Sequence, residues 1–177
     1  LLDISFNYRS IDQDKAISYA RQALALAMNI KWKKGIGDAN KILGVNYVDR
    51  SDWTRALECY YTAEKIFKEI GYKRGLATTY QNIGVVYSGK SDNKNALEYY
   101  AKAADIYNEI GYNRGVAMIH QNIAFIYKSQ SEYSLALKYY LKAVKGYKDL
   151  GDKQSEASML QNVGTAYESL GDYPKSL

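Results

Sequence analysis

The sequence repeats itself every forty residues. Shifted by 40, the chain lies on itself without a gap, and residues 71–110 agree with residues 111–150 at 17 of 40 positions. About two or three would agree by chance at ordinary residue usage. A fixed period of this length demands a stack of small similar units rather than one globule of unrelated segments. Gly44, Gly84, Ala124 and Gly164 form one column, and Tyr47, Tyr87, Tyr127 and Tyr167 a second. Asp12, Asp52, Asp92, Glu132 and Asp172 follow, then Ala16, Ala56, Ala96 and Ala136, with Leu57, Leu97 and Leu137 beside them. Tyr60, Tyr100 and Tyr140 precede Ala23, Ala63, Ala103 and Ala143.

Each period reads as two helices. Leu76, Ala77, Tyr80, Ile83, Gly84 and Tyr87 share one helical face, and Ala96, Leu97, Tyr100, Ala103, Tyr107 and Ile110 share the next. Asp92 stands where a carboxylate can accept the free amides of a first turn. Gly71, Gly111 and Gly151 stand where a left-handed residue ends a helix. Pro174 suits a first turn, where its missing N–H costs nothing. The spacing predicts helices at 12–30, 35–50, 53–70, 73–89, 93–110, 113–129, 133–150 and 153–170. No segment alternates with period two, so strands are excluded. Small residues set the approach of the helices, with Gly84 expected against Ala96 and the rings of Tyr87 and Tyr100 beside them.

These columns resemble the tetratricopeptide repeat (TPR) family. Its order of small residue, aromatic, Ala, aromatic, Ala is matched by Gly84, Tyr87, Ala96, Tyr100 and Ala103. The usual period of that family is about 34 residues; forty implies longer helices, as in kinesin light chains. The wording "NIGVVY" and "ALEYYAKA" looks most like TPR segments of bacterial multidomain signalling proteins. The resemblance implies an all-α fold, a right-handed α-α superhelix (solenoid) of antiparallel helix hairpins. It implies one array over 1–177: a partial repeat 1–30, repeats 31–70, 71–110 and 111–150, and a partial repeat 151–177. Both ends fall inside a repeat, so the chain reads as a piece of a longer protein.

Chemistry-bearing residues are few. Net charge is +5, yet Lys and Arg mostly alternate with Asp and Glu, as in Glu64-Lys65 and Lys68-Glu69, which suits a solvated helix surface. The dense basic run is Lys31, Lys33 and Lys34 around Trp32. A nucleic-acid footprint would cluster its cations on one face, so nucleic acid is the least favoured partner. The one cysteine, Cys59, shares a column with Tyr99 and Tyr139 and reads as packing. The one histidine, His120, shares its column with Asn40, Tyr80 and Leu160 and reads the same way. A lone histidine and a lone cysteine exclude the usual zinc spacings. No phosphate-binding GKS/T loop occurs, and Gly35-Ile36-Gly37 lacks the third glycine of a dinucleotide loop. No catalytic residue, metal ligand or cofactor is assigned. No apolar run is long enough for a membrane helix and no leader opens the chain, which points to the cytoplasm.

One polar ladder follows the period. Gln81-Asn82, Gln121-Asn122 and Gln161-Asn162 lie one period apart on first helices, with Val85, Phe125 and Thr165 one turn on. In the TPR family first helices line the concave groove. Amides that donate and accept can hold an extended peptide backbone at repeated intervals, and the neighbouring apolar side chains would supply pockets. The same asparagines can instead bond the adjacent repeat and fix its stacking. The carboxylate clamp of chaperone-tail TPRs is a poor match: Lys41 and Asn82 fit, but Val45, Met118 and Asn122 stand where Asn, Lys and Arg belong. The reading is a non-catalytic scaffold for a protein or peptide ligand, the sensory or regulatory segment of a larger bacterial signalling protein. The alternative is a self-association module forming a homodimer through half-exposed tyrosines or unfinished terminal repeats.

Overall fold

The computed structural model describes residues 1–171, and among them every regular element is an α-helix. A short helix α1 (Leu2–Tyr8) is followed by eight of equal length: α2 (Gln13–Asn29), α3 (Lys33–Asp49), α4 (Trp53–Glu69), α5 (Lys73–Gly89), α6 (Asn93–Glu109), α7 (Asn113–Ser129), α8 (Tyr133–Asp149) and α9 (Lys153–Ser169). The predicted helices agree with these to within two residues. Pro174 and Asp172 lie outside the described residues.

From α2 onward each joint is set by one left-handed residue; the α1–α2 joint has none. Gly71, Gly111 and Gly151 have φ of 66–68°, as the sequence predicts. The first helices end on Ser51, Ser91 and Ser131, with φ of 58–62°, although an L-residue there costs about 1–2 kcal/mol. The following amide reaches back to the last turn, as in Asp92 N–H to Tyr87 O at 2.9 Å. Asp12, Asp52 and Asp92 then cap the next helix by accepting from Lys15, Arg55 and Asn95 amides at 3.0, 3.0 and 3.2 Å. Glu132, in the same column, makes no side-chain cap, because its extra methylene carries the carboxylate past the first-turn amides. Asp152 caps α9 through the Ser155 amide at 3.1 Å, at a column that holds Trp32, Tyr72 and Tyr112 elsewhere.

The chain divides into two compact units, 1–99 and 100–177. In the first, successive helices from α1 to α5 pack in sequence, and first helices also touch one another, α1 on α3 and α3 on α5. Ala16, Ala56 and Ala63 are fully buried alongside Tyr60 and Phe67, each ring contributing about 1.5–3 kcal/mol by its burial. At Gly44, in the column of Gly84, a ring covers the small residue: a Cβ there would meet Tyr60 at 2.5 Å. A second glycine column, Gly35, Gly75 and Gly115, also lies under aromatic rings; a Cβ on Gly75 would meet Tyr72 at 2.4 Å and Phe67 at 3.0 Å. Polar ties complete the packing. Ser5 donates to Ala16 O at 2.7 Å and accepts from Asn46 at 3.0 Å, while Arg9 forks onto Asp49 at 2.7 and 2.9 Å.

In the second unit α7 packs on α8 and α8 on α9. Its core joins Ala117, Ala124, Ala136, Tyr140, Ala143, Tyr147, Met159 and Val163. Tyr100 and Ala103 of α6 are buried as their columns require, as is Ala96 in the part of α6 that belongs to the first unit.

Candidate functional site

First-helix positions carry the predicted ladder, and the structure separates its two members. Gln121 is spent within its own hairpin, accepting the Tyr147 hydroxyl of α8 at 2.8 Å. Its column-mate Lys41 sits over the Phe67 ring at 5.9 Å, and Gln81 is buried. Asn82 and Asn122 behave differently: both are half-buried and, among the described residues, neither side chain makes a hydrogen bond. On α9, Asn162 turns back onto Ser158 O at 3.0 Å and Thr165 onto Gln161 O at 3.1 Å, while Gln161 is exposed. One turn beyond the asparagines, Val85 and Phe125 are 39% and 42% exposed, large for apolar side chains beside a packed core. Phe125 meets Tyr140 edge-on, centroids 5.7 Å apart.

The tyrosines sort into core and seam. Tyr60, Tyr100 and Tyr140 are buried. Burial pushes the Tyr140 phenol up to about 12, and among the described residues its hydroxyl has no hydrogen-bond partner. Their neighbours Tyr99 and Tyr139 stack on Tyr87 and Tyr127, each with centroids 5.6 Å apart. Seam hydroxyls join successive hairpins of the first unit: Arg21 donates to Tyr47 at 2.9 Å, and Tyr61 and Tyr87 share a bond of 2.9 Å.

Cys59 is half-buried, and desolvation pushes its thiol up to about 11, away from the thiolate that does nucleophilic work. His120 is held below its ordinary value by burial and by the Lys142 ammonium. Among the described residues no three His, Cys, Asp or Glu side chains gather to hold a metal ion, and no helix is long and apolar enough to cross a membrane. The basic run at the start of α3 is largely neutralised: Lys33 pairs with Glu69 and Lys34 with Asp38 at 2.7 Å.

One group escaped the sequence reading. Lys138, Lys142, Lys145 and Lys148 all lie exposed on α8, and no acidic residue stands between Glu132 and Asp149. The alternation of charge seen around Glu64 and Lys68 does not extend to this helix. Counting charge helix by helix would have found it.

A family model described as soluble NSF attachment protein, SNAP, matches residues 44–177. The chain belongs to the SNAP family. That membership agrees with the TPR-like repeats, and the fold of this SNAP-family chain is that of TPR-like helical-repeat solenoids. It is similar to BtubC of P. vanneervenii at a TM-score of 0.82 and 22% identity, over 94% of this chain and 70% of that one. It is similar to a Rap protein complexed with Competence and Sporulation Factor at a TM-score of 0.77 and 17% identity, over 99% of this chain and 59% of that one. A signal transduction ATPase of Pyrococcus horikoshii with a tetratricopeptide repeat sensor matches at a TM-score of 0.79 and 15% identity, over 92% of this chain and 26% of that one. No curated protein matches the sequence. A TPR-like SNAP-family fold is consistent with a protein-interaction scaffold.

Proposed function

We propose that the chain is a non-catalytic scaffold that binds a peptide or helix of a partner protein along its first helices. The observation that carries this is the pairing, on α5 and again on α7, of an asparagine without a hydrogen-bond partner and a large exposed apolar side chain one turn on: Asn82 with Val85, Asn122 with Phe125. An amide in that state can donate to and accept from a peptide backbone, and the apolar neighbour can shelter a side chain. Gln81, Gln121, Gln161, Asn162 and Thr165 flank these positions; Gln121 bonds Tyr147 of its own hairpin, and Asn162 and Thr165 bond the backbone of their own helix. The Rap protein complexed with Competence and Sporulation Factor and the ATPase with a tetratricopeptide repeat sensor support a regulatory setting, in which this chain is the sensing segment of a larger bacterial signalling protein in the cytoplasm.

The test is a peptide-display selection on the chain, followed by the triple variant Asn82→Ala, Asn122→Ala, Asn162→Ala. Selected peptides should lose binding while the melting temperature stays nearly constant. A collapse of melting would instead give the asparagines a stacking role. A self-association reading has its own support: Leu26, Ile30 and Trp32, each more than half exposed, border a cleft of about 300 Å3 with Leu1 and Ala27. Light scattering that shows a monomer at every concentration would end that reading.

A further inference from the structure

Gly146 breaks the period on α8. The same column holds Leu26, Ile66 and Ile106, so every other copy supplies an apolar side chain here. A Cβ on Gly146 would stand 2.9 Å from the Ala117 Cβ, so α7 and α8 approach closely at this point. Beside that approach lies a cleft of about 410 Å3 lined by Val116, Ala117, His120, Lys142, Lys145 and Leu150, within the size range of small-ligand and side-chain sites.

The surroundings are cationic and unpaired. Lys138, Lys142 and Lys145 follow at i, i+4 and i+7, one face of the helix, and among the described residues none of them makes an ion pair. On their other side Leu137 and Leu141 line a second, shallower depression of about 490 Å3. Leu141 is exposed there. We propose that this face of α8 binds an acidic peptide segment of a partner protein, with an apolar side chain entering the cleft beside Ala117 and Gly146 and carboxylates engaging Lys142 and Lys145.

The occupant follows from the charge pattern and the shape. Unpaired ammoniums around an apolar hollow complement a segment that alternates carboxylates with one apolar anchor. Asp149, exposed at the end of the cleft, repels a continuous anionic sheet such as a lipid surface, whereas a peptide can place its carboxylates clear of it. Base stacking is disfavoured because the ring beside the lysines, Tyr139, is stacked on Tyr127 and covered by Lys142 at 5.0 Å.

The experiment titrates the isotopically labelled chain with a short synthetic peptide of glutamates around one leucine, read by amide shifts. Shifts centred on Val116, Ala117 and Gly146 are expected. The double variant Lys142→Glu, Lys145→Glu, whose side chains are exposed and unpaired, should weaken binding by about tenfold or more. Gly146→Leu should abolish it by filling the cleft, and the lysine variant stands as the independent check where that substitution disturbs packing. The Asn82, Asn122 and Asn162 alanine variant should bind as before, which separates this site from the first-helix ladder. Equal affinity for a control peptide with serine for leucine, shifts centred on the ladder, full binding by the lysine variant, binding only to phosphatidylserine vesicles, or no shift at millimolar peptide would each overturn the proposal.

Discussion

Helices α4 and α8 hold the same place in the period two copies apart, one in each unit, and they differ in a consistent way. Their buried columns are nearly interchangeable: Ala56, Tyr60, Ala63 and Phe67 against Ala136, Tyr140, Ala143 and Tyr147. Their surfaces are not. On α4, Lys68 pairs with Glu64 at 2.7 Å, Arg55 with Asp52, and Glu69 with Lys33 of α3. On α8, among the described residues, Lys138, Lys142 and Lys145 make no ion pair. Single exposed ion pairs contribute only about 0–1 kcal/mol, so losing them costs the unit little. The buried columns hold the hairpin, and the outer face is left free to drift toward a partner.

The sharpest way to break that comparison is at the glycine column. Gly44 has no room beneath the Tyr60 ring, so Gly44→Leu should cost about 3 kcal/mol by overpacking, seen as a drop in denaturant midpoint. Its counterpart in the second unit, Ala124, is buried with its methyl accommodated. Ala124→Gly should cost only about 0.5–1 kcal/mol, the price of glycine within a helix. Equal and small losses at both sites would refute the close approach seen in the first unit.

Two tyrosines of α8 sharpen the comparison further, because they should respond with opposite signs. Tyr147→Phe removes the bond to Gln121 and should destabilise by about 1 kcal/mol; it recreates the phenylalanine that α4 carries at Phe67. Tyr140→Phe removes a buried hydroxyl without a partner and should stabilise by a similar amount, about 1 kcal/mol. Paired thermal melts decide the matter: a loss at Tyr140 would mean that its hydroxyl is satisfied in solution.

A smaller effect concerns the caps. Glu132→Asp should supply the bond that Asp52 makes on α4 and raise stability by about 0.5 kcal/mol. It should also deepen acid sensitivity. Amide and side-chain bonds hold the Asp12, Asp52, Asp92 and Asp152 carboxyls below their ordinary value of 3.8. With native values below unfolded ones, their contribution is complete above that ordinary value and is lost as pH falls through the native values. Melting temperatures followed from pH 6 downward should therefore fall below about pH 4, and slightly faster in the Glu132→Asp chain.

Helix positions were legible because one face of each helix must be small or aromatic in every copy, and a period exposes that requirement. Gly71 and Gly111 likewise announce their joints. Ser51, Ser91 and Ser131 do not, since serine has no special ease in the left-handed region; only their alignment midway between the glycines hints at the role. At the site, sequence spacing put Gln and Asn of the ladder together, but side-chain direction divides them. Adjacent helix positions point about 100° apart, so Gln121 faces α8 while Asn122 finds no partner. The α8 lysines do not stand out in the sequence because, along the whole chain, the mixed surface of α4 offsets them.

The left-handed joints have one more consequence. Because a residue with φ near 60° stands at every joint from Lys31 to Gly151, a stretch cut between two such residues forty apart begins and ends in matching backbone geometry. Unequal crossing-over at those points would insert or delete a whole copy without leaving a mis-set turn, so the gene can change length in forty-codon steps while each surviving junction keeps its shape.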